Sequence, residues 1–202
     1  MIHDQGLLDQ LSGFAVERFE GEVFRTTGVS TDPLASSNNG GRWAPNIRDG
    51  ADVPVLYTSF ERNGALAEVV SYLVELTPLP VSRPLKISQL GVSTSKTLRL
   101  ARVTLESLKV DMNRYGRRDY VRTQNIGAAL AFLGVDGLIA PSARWKCDNL
   151  MIFTGNHQLS KRLEVIQSEE VHWLSWARES GFLEPHGKQV HTIAVRFAPS
   201  PY

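Results

Sequence analysis

The chain has 202 residues, 42% of them hydrophobic, and its 22 basic residues nearly balance its 21 acidic ones. This length and composition predict one α+β domain with a core of its own, over residues 1–202. The balanced charge argues against direct nucleic-acid binding, which needs a clearly basic face. The single cysteine, Cys147, excludes an internal disulfide and a cysteine-based zinc site, and we expect a cytoplasmic protein.

Membrane association and metal binding are not expected either. The N-terminal residues lack a basic stretch followed by an apolar one, so no signal peptide is predicted. The most apolar segment, residues 126–140, is interrupted by Gly134, Asp136 and Gly137. It is shorter than the about 20 apolar residues that a membrane span needs. The five histidines show no metal-binding spacing.

The predicted elements alternate between helices and strands along the chain. Helices are predicted at residues 7–14, 63–76, 119–133 and within 171–178, and strands at residues 23–26, 53–58, 137–140, 150–153, 163–167 and 192–197. The helix at 63–76 is the clearest, because Leu66, Val69, Val70 and Leu73 recur at helical spacing. Residues 95–115 fit either a strand or turns. Trp173 and Trp176 are predicted to anchor the last short helix to the core or to an interface.

A first candidate site is the segment Gly40-Gly41-Arg42-Trp43. Paired glycines let a ligand approach the main chain closely. Arg42 offers a planar set of donors for phosphate or carboxylate, and Trp43 offers a flat face for stacking. The alternative is a surface turn with a packed aromatic residue. The glycine spacing matches neither a P-loop nor a dinucleotide-binding fingerprint.

A second candidate unit runs from a strand into a helix. Tyr57 closes the strand and Glu68 lies in the following helix, so rigid elements would hold a ring and a carboxylate. At about 100° per residue, Glu68 falls nearly opposite the apolar stripe, and periodicity alone therefore favours a solvated glutamate. Arg25, within a short strand, is likewise more often a solvated residue than a ligand contact.

Ser142 follows a strand that has a buried character. The Gly-x-Ser-x-Gly pattern of a nucleophilic serine is missing around it. Ser142 is therefore interpreted as a hydroxyl donor to a ligand or as a turn residue. The arginine-rich segment at 114–122 is interpreted as a solvated surface, because acidic residues lie among the basic ones.

Taken in order, these fragments resemble the RES domain, a family named for its arginine, glutamate and serine. The resemblance covers about residues 20–155 and leaves residues 156–202 as a C-terminal extension. The motifs that carry it are Val23-Phe24-Arg25, Gly40-Gly41-Arg42-Trp43, Val55-Leu56-Tyr57-Thr58-Ser59, Ala65-Leu66-Ala67-Glu68, Gln124-Asn125-Ile126-Gly127, Gly134-Val135-Asp136-Gly137 and Pro141-Ser142-Ala143-Arg144 with Asn149.

The resemblance implies an ADP-ribosyltransferase-like fold, with a split β-sheet core and surrounding helices. It implies NAD⁺ as the substrate and no metal. Glu68, Arg25 and Tyr57 would be the catalytic residues, with Glu68 at the ribose and Tyr57 stacked on the nicotinamide. The NAD⁺-binding set would be Arg25, Gly41, Arg42, Trp43, Tyr57 and Ser142, with the arginines on the diphosphate.

Members of this family act as toxins that consume NAD⁺ by hydrolysis or phosphorolysis. The resemblance therefore implies a toxin-like enzyme whose partner is an Xre-type helix-turn-helix antitoxin. A protein ADP-ribosyltransferase would use the same NAD⁺ site, and a non-catalytic nucleotide-binding or interaction module would share the fold. The C-terminal extension is a candidate for antitoxin docking or for self-association as a homodimer.

Overall fold

The structure, a computed structural model, describes residues 4–37, 39–47 and 52–183. In this part of the chain there are five helices and eight strands. The helices are α1 (Gln5–Ser12), α2 (Arg62–Leu73), α3 (Arg102–Ser107), α4 (Val121–Phe132) and α5 (Trp173–Glu179), and the strands are β1 (Val16–Gly28), β2 (Asn39–Gly41), β3 (Ala44–Asn46), β4 (Val55–Ser59), β5 (Leu85–Arg99), β6 (Gly137–Pro141), β7 (Asp148–Phe153) and β8 (Leu163–Val171).

Two long antiparallel strands, β1 and β5, form the centre of the main sheet. They pair from Val16↔Leu98 to Gly28↔Leu85. On its other edge, β5 pairs with β8 along its first half and with β6, in parallel, at Thr97–Arg99. The sheet continues through β7 to β4, and β4 returns to β1. The strands β1, β4, β7, β6 and β5 are therefore connected in a closed circuit.

The circuit is weakest where β1 meets β4. In the described residues these strands pair at one position, Phe24↔Ser59, whereas β4 pairs with β7 from Val55 to Ser59. Because no further ladder holds them together, β1 and β4 diverge beyond this pair and leave a gap in the sheet. Helix α2 starts just after β4 and lies beside this gap.

Two hydrophobic clusters support the elements around the gap. The larger one joins α1, α3 and α4 to one side of the sheet and includes Trp43, Ile126 and Phe153. The other joins α2 to α5 and includes Val70 and Trp173. The Trp173 indole also donates to the carbonyl of Arg83 at 2.9 Å, which confirms the predicted anchoring of the last helix.

Most predicted elements are present, with shifted ends. The helix predicted at 63–76 runs from Arg62 to Leu73. Residues 95–115 contain both the end of β5 and the short helix α3, which the sequence did not indicate. The predicted turn at Gly40–Trp43 is the tip of a small hairpin made by β2 and β3. The strand predicted at 192–197 lies outside the described residues.

Helix α4 lies so close to this hairpin that only a glycine fits at Gly127. A Cβ atom there would be 1.8 Å from the carbonyl oxygen of Trp43. We predict that Gly127→Ala destabilises the protein by about 2–3 kcal/mol, because the helix must move away from the hairpin. In an open helical position the same change stabilises by about 1 kcal/mol. Thermal unfolding should show the midpoint lowered by about 5 °C or more.

Gly116→Ala is the matched control, since a Cβ atom at Gly116 meets nothing within 4 Å. Its unfolding midpoint should stay close to that of the unchanged protein. An unchanged or raised midpoint for Gly127→Ala would contradict the close approach of α4 to Trp43.

Candidate active site

The gap between β1 and β4 opens into a cavity of about 410 Å³. This volume is within the range of small-molecule and cofactor sites. Polar side chains that line it are Arg25, Thr26, Ser37, Arg42, Tyr57, Thr58, Ser59, Glu68, Arg118, Tyr120, Arg144 and Asn149. Among them are four arginines and one carboxylate, so the cavity is suited to an anionic ligand that also has a polar or cationic part.

The carboxylate of Glu68 is held by two donors from a distant part of the chain. The Ser142 hydroxyl donates to Glu68 Oε1 at 2.7 Å, and Asn149 Nδ2 donates to the same oxygen at 2.8 Å. The interpretation of Glu68 as a solvated residue is therefore wrong. Helix α2 packs on the sheet with one side and faces the β6–β7 connection with the other, so a residue opposite the apolar stripe is still partly buried.

The environment of Ser142 determines the direction of its hydroxyl proton. Its Oγ accepts hydrogen bonds from the backbone N–H groups of Arg144 and Trp145, both at 3.1 Å. The hydroxyl proton is thus directed to Glu68. Ser142 is 5% exposed and does not line the cavity itself. Its position agrees with a role in orienting the glutamate and not with that of a nucleophile.

Arg25 extends from β1 into the cavity and is partly buried. Its Nη1 donates to the carbonyl of Pro33 at 2.8 Å. Burial lowers the pKa of the Arg25 guanidinium to about 10, although the nearby Asp32 carboxylate favours the charged form. Arg25 therefore remains charged at neutral pH. An anion in the cavity would relieve the cost of its burial.

The Tyr57 ring packs closely against the backbone of Gly41. The Tyr57 hydroxyl accepts a hydrogen bond from the backbone N–H of Trp43 at 3.2 Å. A Cβ atom on Gly41 would lie 2.6 Å from this hydroxyl oxygen, so only glycine allows the hairpin to approach the ring. Burial raises the pKa of Tyr57, and its hydroxyl stays protonated at neutral pH.

Trp43 does not present its ring to a ligand as we expected. Its side chain is 2% exposed and belongs to the larger hydrophobic cluster, because burial of the indole stabilises the hairpin. It contributes to the site through its backbone N–H, which donates a hydrogen bond to the Tyr57 hydroxyl. Gln124 of α4 holds the same hairpin by donating to the carbonyls of Gly41 and Ala44 at 3.0 and 3.3 Å.

Arg42 lies against two aromatic residues that were not among the predicted site residues. Its Cζ atom lies 4.4 Å from the ring centroid of Tyr115 and 4.7 Å from that of Tyr120. The segment at 114–122 is also more than a solvated surface, since Arg118 lines the cavity. The sequence contains a signal for such contacts, because tyrosines lie among the arginines of this segment and this pattern favours cation–π contacts.

Two buried polar atoms beside the cavity have no hydrogen-bond partner among the described residues. They are the hydroxyl of Thr26 and Oδ1 of Asn149. An unpaired buried polar atom destabilises a protein by about 1–3 kcal/mol, so a ligand that pairs with these two atoms would be favoured.

The described residues contain no group of three or more His, Cys, Asp or Glu side chains with the geometry of a metal site. None of the described helices has the length and apolar character of a membrane span.

Comparison with known proteins agrees with this architecture. The family model described as RES domain matches residues 22–174. The chain therefore belongs to the RES domain family. A chain in the crystal structure of the M. tuberculosis MbcT–MbcA toxin–antitoxin complex is similar, with a TM-score of 0.74 and 19% identity, covering 86% of this chain and 96% of that chain. No curated protein matches the sequence.

The structural similarity confirms the predicted α+β fold, an ADP-ribosyltransferase-like split β-sheet core with surrounding helices. The family match reaches beyond residue 155, where the recognised motifs end, and includes β8 and the start of α5. The six predicted residues Arg25, Gly41, Arg42, Trp43, Tyr57 and Glu68 all line the same cavity, and Ser142 contacts it through Glu68.

We predict that Gly41→Ala displaces the Tyr57 ring while the protein stays folded. The added methyl group must move from 2.6 Å to an ordinary contact distance, which requires a shift of about 1 Å. A crystal structure of the variant should show the hydrogen bond between Trp43 N and Tyr57 lost. Gly155→Ala is the control, because its Cβ atom would make only an ordinary contact with Pro54 at 3.7 Å. An unmoved Tyr57 would contradict the prediction.

Proposed function

We propose that the protein cleaves the nicotinamide–ribose bond of NAD⁺ and transfers the ADP-ribose to water or to phosphate. The observation that carries this proposal is the Glu68 carboxylate, fixed through one oxygen by Ser142 and Asn149 in an arginine-lined cavity. The second oxygen, Oε2, has no hydrogen bond to any described residue. It is available to the hydroxyl groups of a ribose.

The charges of the cavity match those of NAD⁺. Its diphosphate would accept hydrogen bonds from Arg25 and Arg42, whose guanidinium groups line the same cavity. The nicotinamide ring, which carries a positive charge in NAD⁺, would stack on Tyr57 near Glu68. The unpaired atoms of Thr26 and Asn149 could pair with ribose or carboxamide groups of the ligand.

The proposed reaction needs little acid catalysis. When the bond between ribose C1′ and the pyridinium nitrogen breaks, its electron pair goes to the nitrogen, and nicotinamide leaves as a neutral molecule. The sugar then has oxocarbenium character. The negative charge of Glu68 stabilises it across a short distance in a partly buried site. An oxygen of water or phosphate forms the new bond at C1′, and in hydrolysis the released proton goes to solvent.

A biological role follows from the same proposal. An enzyme that consumes NAD⁺ without restraint would act as a toxin and would need an inhibitor. The similar fold occurs in a crystal structure of a toxin–antitoxin complex, which supports a toxin with an antitoxin partner. For this chain we propose an Xre-type helix-turn-helix protein as that antitoxin, and the cytoplasm as the site of action.

Purified protein incubated with NAD⁺ should release nicotinamide, which chromatography detects. We predict that Glu68→Gln lowers kcat by about 10²–10³-fold, because the amide has no charge to stabilise the oxocarbenium-like state. The amide oxygen of the glutamine can still accept from Ser142 and Asn149, so the variant should fold. It should also lose toxicity in a growth assay.

Glu106→Gln provides the control, since Glu106 is an exposed residue of α3 outside the cavity. This variant should keep full activity. An unchanged NAD⁺ pool with the unsubstituted protein would refute the proposed cleavage, and full activity of Glu68→Gln would remove Glu68 from the mechanism. Product analysis with and without phosphate distinguishes phosphorolysis from hydrolysis, and labelled NAD⁺ in a cell lysate reveals transfer to a protein.

A further inference from the structure

We propose that Tyr115 and Tyr120 are positioning residues, which hold the Arg42 guanidinium in the orientation that binds the diphosphate of the substrate. This inference rests on the proposed function, since it assigns the diphosphate to Arg42. It adds two residues whose effect on the ligand passes through the arginine.

Arg42 is held mainly by aromatic rings within the described residues. Its hydrogen bond within the described residues, from Nη2 to the carbonyl of Arg117, is 3.5 Å long and therefore weak. Among the described residues no carboxylate lies within 4 Å of it. The guanidinium is held by the rings of Tyr115 and Tyr120, whose centroids lie 4.4 and 4.7 Å from Cζ.

Ring contacts and ion pairs have different consequences for a ligand. A carboxylate partner would occupy the N–H donors of Arg42 and neutralise its charge, whereas an aromatic face attracts the cation and leaves the donors at the edge of the guanidinium. Arg118 shows the contrast, because its Nε donates to the Glu75 carboxylate at 2.9 Å. Of these two cavity arginines, Arg42 keeps its donors for an anion.

The two tyrosines are themselves fixed to other parts of the site. Tyr115 is 5% exposed, and its hydroxyl donates to the carbonyl of Pro141 at 2.9 Å. Pro141 directly precedes Ser142, which orients Glu68. One buried ring therefore relates the position of the phosphate-binding arginine to that of the carboxylate.

Tyr120 holds Arg42 from the other end of the same segment. It precedes the first residue of α4, the helix whose Gln124 bonds to the carbonyls of Gly41 and Ala44 on either side of Arg42. The backbone of the hairpin and the guanidinium of Arg42 are thus both positioned from the start of α4. Because Tyr120 also lines the cavity, the test must separate a direct contact with the ligand from an effect through Arg42.

The test uses Tyr120→Leu, which removes the ring, and Tyr120→Phe, which keeps it. Tyr120→Leu should raise the KM for NAD⁺ about fivefold to tenfold, the effect of losing a cation–π contact. Its kcat should change by less than about twofold, because binding energy is lost equally in the ground and transition states. Calorimetry with ADP should show the same loss of affinity. Tyr120→Phe should behave like the unsubstituted protein in both measurements.

A double-mutant cycle separates positioning from a direct contact. In an Arg42→Ala background, Tyr120→Leu should cause no further loss of ADP affinity, because the tyrosine acts through the arginine. Additive losses, or a Tyr120→Phe variant as weak as Tyr120→Leu, would overturn the inference. Tyr115→Phe extends the test to the buried ring: it keeps the aromatic face beside Arg42 but removes the hydroxyl that donates to the carbonyl of Pro141, so its loss of ADP affinity should be smaller than that of Tyr120→Leu.

The outcomes also separate this inference from the proposed function. If the unsubstituted protein binds ADP through Arg42 and Tyr120 but releases no nicotinamide from NAD⁺, the proposed function fails and the positioning role stands. If NAD⁺ is cleaved but ADP affinity and KM are unchanged in Tyr120→Leu, the positioning role fails alone. Failure of the unsubstituted protein to bind ADP would overturn it as well.

Discussion

Glu68 lies partly buried on a helix, and a carboxylate in such a place destabilises the fold unless donors reach it. The donors come from residues more than 70 positions further along the chain, Ser142 and Asn149, in the segment that connects β6 to β7 and in β7 itself. Helix α2 and this segment must therefore lie close enough for hydrogen bonds between Glu68 and its two donors. The pairing of β4 with β7 sets that distance, because α2 follows β4 directly.

Because of the gap between β1 and β4, this carboxylate lines an open cavity. A complete ladder between the two strands would close the space that the cavity occupies. Because the pairing stops at Phe24↔Ser59, the arginines and Glu68 share one water-accessible space. The proposed enzyme thus depends on an incomplete sheet whose stability comes from the long β1–β5 pairing.

Much of the site could be predicted from sequence because its residues lie in short motifs that keep their order along the chain. The strand that carries Tyr57 and the helix that carries Glu68 follow directly from local patterns. The exposure of Glu68 did not, because helical periodicity assumes one buried side and α2 is covered on two. The tyrosines around Arg42 were missed for a related reason: they are 73 and 78 residues away in sequence, and no local pattern joins them.

Composition and local patterns were enough to predict the α+β class and the main helices, and the resemblance to the RES domain supplied the arginines, tyrosine and glutamate on which the proposed chemistry rests. The sequence also argued against Ser142 as a nucleophile, since the surrounding pattern was missing. Three features became visible only in the folded chain: the Trp43 ring belongs to the core, Arg42 lies against two tyrosines, and Glu68 has two donors. Local patterns depend on neighbours in the chain, whereas these three sets of contacts join segments that are distant in sequence.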